Sequence, residues 1–143
     1  MSSMSRFFKK NKVVKENTFF AATKSLLDEI GKPLMWEIRP LTTKEDEKIR
    51  DSSTMEIQIP GKPGVYRNKV NTSAYIAKLI VASVVDPDLY NAELQDNYEV
   101  KTPEDLVKEI IDDPGEYIAF AGFIQNFNGF NVTLQEEIDE IKN

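Results

Sequence analysis

The sequence predicts an α+β fold, mostly α-helical toward the C-terminus, with one or two short antiparallel β-hairpins in the N-terminal half. Three observations predict it. Residues 54–59 alternate strictly, with Thr54, Glu56 and Gln58 on one side and Met55, Ile57 and Ile59 on the other, the period-2 pattern of a half-buried strand. Residues 72–85 are apolar nearly all round, with Lys78 the only charge, and a helix without a polar face belongs inside a core. Thr102-Pro103-Glu104-Asp105 and Asp113-Pro114-Gly115-Glu116 each set a capping side chain and a proline where a helix begins.

Residues 1–17 read as a basic flexible arm, and residues 18–143 as a single globular domain. The arm holds Arg6, Lys9, Lys10, Lys12 and Lys15, two apolar pairs (Phe7–Phe8, Val13–Val14) and no acid before Glu16. It is either a solvated terminus or a sticky peptide that orders on a partner. Residues 18–30 fit two patterns. Phe19, Ala22, Leu26 and Ile30 have helical spacing, yet Asp28-Glu29-Ile30-Gly31-Lys32-Pro33 is a turn sequence that would make this segment the hairpin partner of a strand over 34–40. In that strand Leu34, Trp36 and Ile38 alternate with Met35, Glu37 and Arg39. Trp36 reads as a core anchor.

Thr42 with Glu45 three residues on matches a capping box. It opens a surface helix over 43–52 with one large apolar residue, Ile49, and an Asp46–Arg50 pair at i,i+4. After the strand at 54–59, Pro60-Gly61-Lys62-Pro63-Gly64 turns the chain, and Val65–Arg67 can return as a short partner whose register stays open. Asn71 or Thr72 caps the apolar helix, predicted through 85 and stopped by Asp86-Pro87. A short helix over 91–98 follows, then a stripe of Leu106, Val107, Ile110 and Ile111. In the helix after Asp113, Tyr117, Phe120, Ala121, Ile124 and Phe127 line one face and Gly129 ends it. Thr133 with Glu136 marks a last, acidic helix bearing Leu134, Ile138 and Ile141.

Composition removes most chemistry. The 143 residues include no cysteine and no histidine, so disulfides, thiolate sites and histidine-activated nucleophiles are excluded. Asp86-x-Asp88 opens like a calcium loop but meets Tyr90, Asn91 and Asn97 where a further ligand, the glycine and the bidentate glutamate are required. Pro60–Gly64 lacks the second half of a phosphate-binding loop. The pairs Asp112/Asp113 and Glu136/Glu137 sit at helix starts, where acids complement the dipole. The expectation is therefore a protein that is not an enzyme, with no metal and no cofactor. Net charge is −6 overall, and −12 over residues 86–143, which disfavours nucleic acid unless the basic arm acts alone. No apolar run is long enough to span a bilayer, so no membrane role is expected and the chain reads as cytosolic.

Partner contact is then the remaining class of function. Its candidate residues are Phe7 and Phe8 in the arm, Phe123 and Phe127 in the cluster Phe120/Phe123/Phe127/Phe130, and the stripe Leu134, Ile138 and Ile141. Phe123 lies off the main helical stripe and is the member expected to be exposed. Core packing is the competing reading for the cluster and the stripe alike.

Several stretches, in order, carry a family resemblance: FFKKNKVVK at 7–15, Gly31-Lys32-Pro33, Trp36-Glu37-Ile38-Arg39-Pro40, Ala92-Glu93-Leu94-Gln95-Asp96, Pro114-Gly115-Glu116-Tyr117 and Asn128-Gly129-Phe130. Together they resemble the XkdN-like tail assembly chaperones of long-tailed phages and defective prophages of Gram-positive bacteria. The resemblance favours the hairpin for residues 18–40. It implies a non-catalytic protein of the bacterial host cytoplasm that binds the tape-measure protein and helps recruit tail-tube subunits, with self-association compatible and with no place in the mature virion. The alternative is a structural tail or head–tail connector subunit retained in the particle.

Overall fold

The computed structural model describes residues 3–130. Residues 18–38 form a hairpin and not a helix. Strand β1 (Thr18–Phe20) pairs antiparallel with β2 (Trp36–Ile38), with Thr18 opposite Ile38 and Phe20 opposite Trp36. Between them a bridge joins Leu27 to Pro33. The turn inside it is held by Asp28, whose Oδ1 accepts from the backbone N–H groups of Ile30 and Lys32, each at 2.9 Å. Gly31 stands there at φ 85°, a conformation that a side chain would strain.

The far edge of β2 carries a strand absent from the sequence reading, β5 (Val84–Asp86), giving the order β1-β2-β5. The apolar helix, α2 (Thr72–Ser83), therefore stops at Ser83 and not at 85. Two β-branched valines and a pre-proline aspartate favour extended backbone, and β2 supplies the pairing. Val84 lies opposite Ile38, and the Arg39 N–H donates to the Ser83 carbonyl at 2.8 Å. With β2 in the middle of the sheet, Trp36 and Ile38 are buried.

Helix α1 (Thr43–Ser52) opens on the predicted capping box, Thr42 accepting from the Glu45 N–H while Glu45 accepts from that of Thr42. No residue of α1 is fully buried; it is fastened to α2 by polar contacts. The Tyr75 hydroxyl donates to Asp46, Arg50 donates to that hydroxyl at 3.2 Å and lies 4.7 Å from the ring centroid, and Lys78 Nζ donates to the Ser52 carbonyl at 2.9 Å. Burial and the Asp46 bond push the Tyr75 hydroxyl up to about 12. Glu45 also forms a two-pronged pair with Arg39, at 2.5 and 3.1 Å. The hydrogen bond from Arg39 is the main cause holding its carboxyl at about 2, against an ordinary 4.5.

A depressed carboxylate stabilises the fold above its unfolded pKa and loses that contribution as pH falls through the folded value. The Glu45 side chain is 35% exposed, so solvent screening limits the gain to about 1 kcal/mol or less. Glu45→Gln should lower Tm slightly at neutral pH, with the gap from the parent closing between about pH 4.5 and 2. Parallel thermal melts across that range check it; a gap that widens on acidification refutes it.

Between α1 and α2 a second hairpin pairs β3 (Thr54–Gln58) with β4 (Tyr66–Val70) in the register Thr54–Val70 through Gln58–Tyr66. The return strand is longer than the predicted Val65–Arg67. The expected half-buried face is met only in part: Ile57 and Ile59 are half-buried, while Met55 is 44% exposed and neither strand has a fully buried residue. The reason is topological, since the pair joins no other strand.

Helices α3 (Ala92–Asn97), α4 (Pro103–Ile110) and α5 (Pro114–Phe127) are capped by Asn91, Thr102 and Asp113. Gly129, at φ 82°, ends α5: its N–H donates to the Asn126 carbonyl and that of Phe130 to Gln125, the paired bonds of a Schellman motif. The core joins Trp36 and Ile38 to Leu79 and Ile80 of α2, Leu106, Val107 and Ile110 of α4, and Phe120 and Ile124 of α5. The helices thus cover one face of the β1-β2-β5 sheet.

Candidate partner-binding surface

The aromatic cluster expected on α5 is a ladder that needs a ring from elsewhere. Phe120, Phe123 and Phe127 recur at helical spacing and so share a side. Phe20 from β1 inserts among them. It stacks on Phe123 with centroids 4.2 Å apart and on Phe120 at 5.8 Å; Phe123 continues to Phe127 at 6.3 Å, and Trp36 meets Phe120 edge-on at 5.4 Å. The ladder runs from a buried end at Phe120 to a half-buried end at Phe127. There Lys15 Nζ sits 4.1 Å from the Phe127 ring centroid, an arrangement favoured by the ring's negative face. Phe123 is consequently not the exposed member of the cluster; Phe20 covers one of its faces.

Polar contacts lock both ends of α5. Near its start, Glu116 accepts from the Thr23 hydroxyl and the Lys24 N–H, both at 2.8 Å. At its end, the Asn128 side-chain oxygen accepts from the Leu41 N–H at 2.7 Å while its amide nitrogen donates to the Ile124 carbonyl. The connection within the first hairpin and the chain just after it are therefore both tied to α5. Burial also pushes the Tyr117 hydroxyl upward on this helix.

The arm residues chosen from sequence stand open. Phe7 is 80% exposed and Phe8 50%, and Val13 and Val14 are exposed too. Short 3₁₀ turns at Ser3–Phe7 and Lys9–Asn11 shape this segment. The arm and the ladder meet at Lys15, so Phe7, Phe8, Phe123 and Phe127 lie on connected parts of the chain. Leu134, Ile138 and Ile141 lie outside the described residues. Sequence reasoning missed a further apolar surface, the uncovered side of the three-stranded sheet, where Phe19 and Met35 are exposed beside Glu37. The pairing of Phe19 with Glu37 is the register fact that sends them outward; once Trp36 is assigned inward, alternation does the rest.

Among the described residues no three acidic side chains gather as a metal site, and no helix is long and apolar enough to cross a membrane. The surface offers exposed aromatic and aliphatic side chains beside lysines.

Fold and surface define a small α+β domain with exposed apolar side chains beside lysines. Comparison with known proteins gives its family: the profile of the phage XkdN-like tail assembly chaperone protein family matches residues 4–142, and the chain belongs to that family. It is 22% identical over 138 residues to the phage-like element PBSX protein XkdN of Bacillus subtilis (strain 168), covering 96% of this chain and 92% of that one. It is also 22% identical over 121 residues to the uncharacterized protein YqbN of the same organism, covering 85% and 80%. A crystal structure of the protein YqbN superposes with a TM-score of 0.75 at 18% identity, over 92% of this chain and 99% of that one. At that identity the likeness speaks for the fold.

Proposed function

We propose that this chain is a non-catalytic tail assembly chaperone of the bacterial host cytoplasm. It binds the tape-measure protein, keeps it soluble while tail-tube subunits are recruited, and leaves before the virion matures. The arm of residues 1–17 acts as a distinct binding element on a single domain spanning 18–143. The observation that carries this reading is the exposure of Phe7 and Phe8 on a basic segment whose root, Lys15, rests on the aromatic ladder of the body. Exposed apolar groups on a charged, soluble scaffold are what a protein needs to shield another chain's apolar surface. Phe127, at the ladder's open end, and the stripe Leu134, Ile138 and Ile141 complete the candidate contacts.

Co-expression with the tape-measure protein encoded nearby, followed by size-exclusion chromatography, tests it. A soluble co-eluting complex is expected where the tape measure alone is insoluble. Phe7→Ala/Phe8→Ala should cut recovery of the complex about tenfold, as loss of two aromatic anchors implies, with Tm unchanged because neither ring is buried. Full recovery with the double variant would remove the arm from the site. Absence of any complex with the parent chain would remove the chaperone reading, and its presence in purified particles would favour a retained subunit.

A further inference from the structure

The second hairpin has a face that its own fold leaves without a covering layer. Because β3 and β4 pair with Met55 opposite Lys69 and Ile57 opposite Arg67, these four side chains point the same way. The ladder continues through the bond from the Ile59 N–H to the Val65 carbonyl at 2.9 Å, adding Ile59 and Val65 to that face. One strand thus contributes an aliphatic row and the other a pair of cations, with no acid among them. Neither Arg67 nor Lys69 has a salt bridge among the described residues. Met55 and Val65 are each 44% exposed and Ile57 and Ile59 half-buried, and all four lie outside the core cluster, which takes only Val70 from the hairpin.

Two strands alone are marginal in water and gain stability by packing an apolar face against a helix. Five residues of strand run roughly 17 Å, the length of about three helical turns. A helix laid along β3 would put an apolar stripe on Met55, Ile57 and Ile59 and turn one flank toward Arg67 and Lys69. A strand added at the hairpin's edge would use backbone groups and leave this face as it is. Arg67 and Lys69, with no acid on the same face, set the charge of the occupant locally, although the chain as a whole carries −6. From this pattern we infer that the exposed face of the β3–β4 hairpin is a docking platform for an acidic amphipathic helix of a partner protein. This rests on reading the chain as a chaperone, and it names the chemistry of the segment held.

The test is fluorescence anisotropy with the full chain. The probe is a labelled synthetic helix of about four turns, with leucines at i, i+3, i+4 and i+7 and glutamates elsewhere; its twin carries lysines for the glutamates. The glutamate peptide should bind at least about tenfold more tightly than the twin, and more weakly as salt rises. R67E/K69E should abolish or reverse the preference while far-UV circular dichroism stays that of the parent. If that variant fails to fold, R67Q/K69Q serves, with loss of the preference expected. The inference is overturned if the two peptides bind alike or if the variants keep the preference. It is overturned too if only deletion of residues 1–15 abolishes binding, or if R67E/K69E alters the oligomeric state of the chain and not peptide binding. Tape-measure co-elution that survives R67E/K69E removes this platform and leaves the chaperone reading standing. Absence of co-elution with the parent chain, beside an intact peptide preference, removes that reading and keeps the platform.

Discussion

Phe120→Ala should destabilise the protein by about 3–5 kcal/mol, the range for truncating a fully buried aromatic ring. Phe120 is 0% exposed and meets two neighbouring strands of the sheet: Phe20 stacks on it at 5.8 Å and Trp36 meets it edge-on at 5.4 Å. Truncation removes the ring's own burial and opens a cavity that the sheet and α5 cannot both collapse into. A domain of this size has about 5–15 kcal/mol in all, so Tm should fall by about 10 °C or more. Phe123→Ala, at a half-buried rung of the same ladder, should cost less than half as much. Thermal melts of the two variants side by side check the order. A Phe123 effect equal to that of Phe120 would mean that the ladder is one cooperative core with no graded, open end.

The helix starts were legible because caps are local. Thr42, Asn71, Thr102 and Asp113 each satisfy amide protons within the next three residues, so a short window holds the whole argument. What failed to show was non-local. Val84 and Val85 read as more helix because β2, nearly fifty residues earlier in sequence, supplies the pairing that makes them a strand. Phe20 carries no local signal because its partner rings lie a hundred residues on, and without Phe20 the spacing of Phe123 points to exposure. Residues 18–30 had helical spacing and turn chemistry at once; the register Phe20–Trp36 decides between them by placing both aromatics on the covered face. The alternation at 54–59 correctly marked a strand, yet no pattern says whether the apolar side of a strand has anything to pack on. At the candidate surface, the openness of Phe7 and Phe8 followed from a basic, acid-poor stretch; the cationic row opposite Met55 and Ile57 required the pairing register.

Glu116→Ala should cost about 2–3 kcal/mol, more than its place at a helix start would suggest, because of what its carboxylate holds. As the third residue after the Asp113 cap, it would ordinarily fold back on its own helix. Instead Oε1 accepts from the Thr23 hydroxyl and Oε2 from the Lys24 N–H, both at 2.8 Å. Hydrogen bonds to a charged acceptor are worth roughly 1.5–3 kcal/mol, and a buried donor left without its partner adds a penalty. Thr23 is 1% exposed, although the Ser25 hydroxyl 2.8 Å away can take part of its bonding. Lys24 is exposed, so water can replace the carboxylate there. The buried Thr23 bond therefore dominates the loss, and Thr23→Val should cost about 1–2 kcal/mol by itself. The double variant should fall short of the sum by about 1 kcal/mol, the signature of two residues acting on one another. Urea unfolding of the parent, both single variants and the double variant measures that coupling. Strict additivity would mean that the two side chains meet without holding the segment after β1 to α5, and the orientation of Phe20 in the ladder would then rest on ring stacking alone.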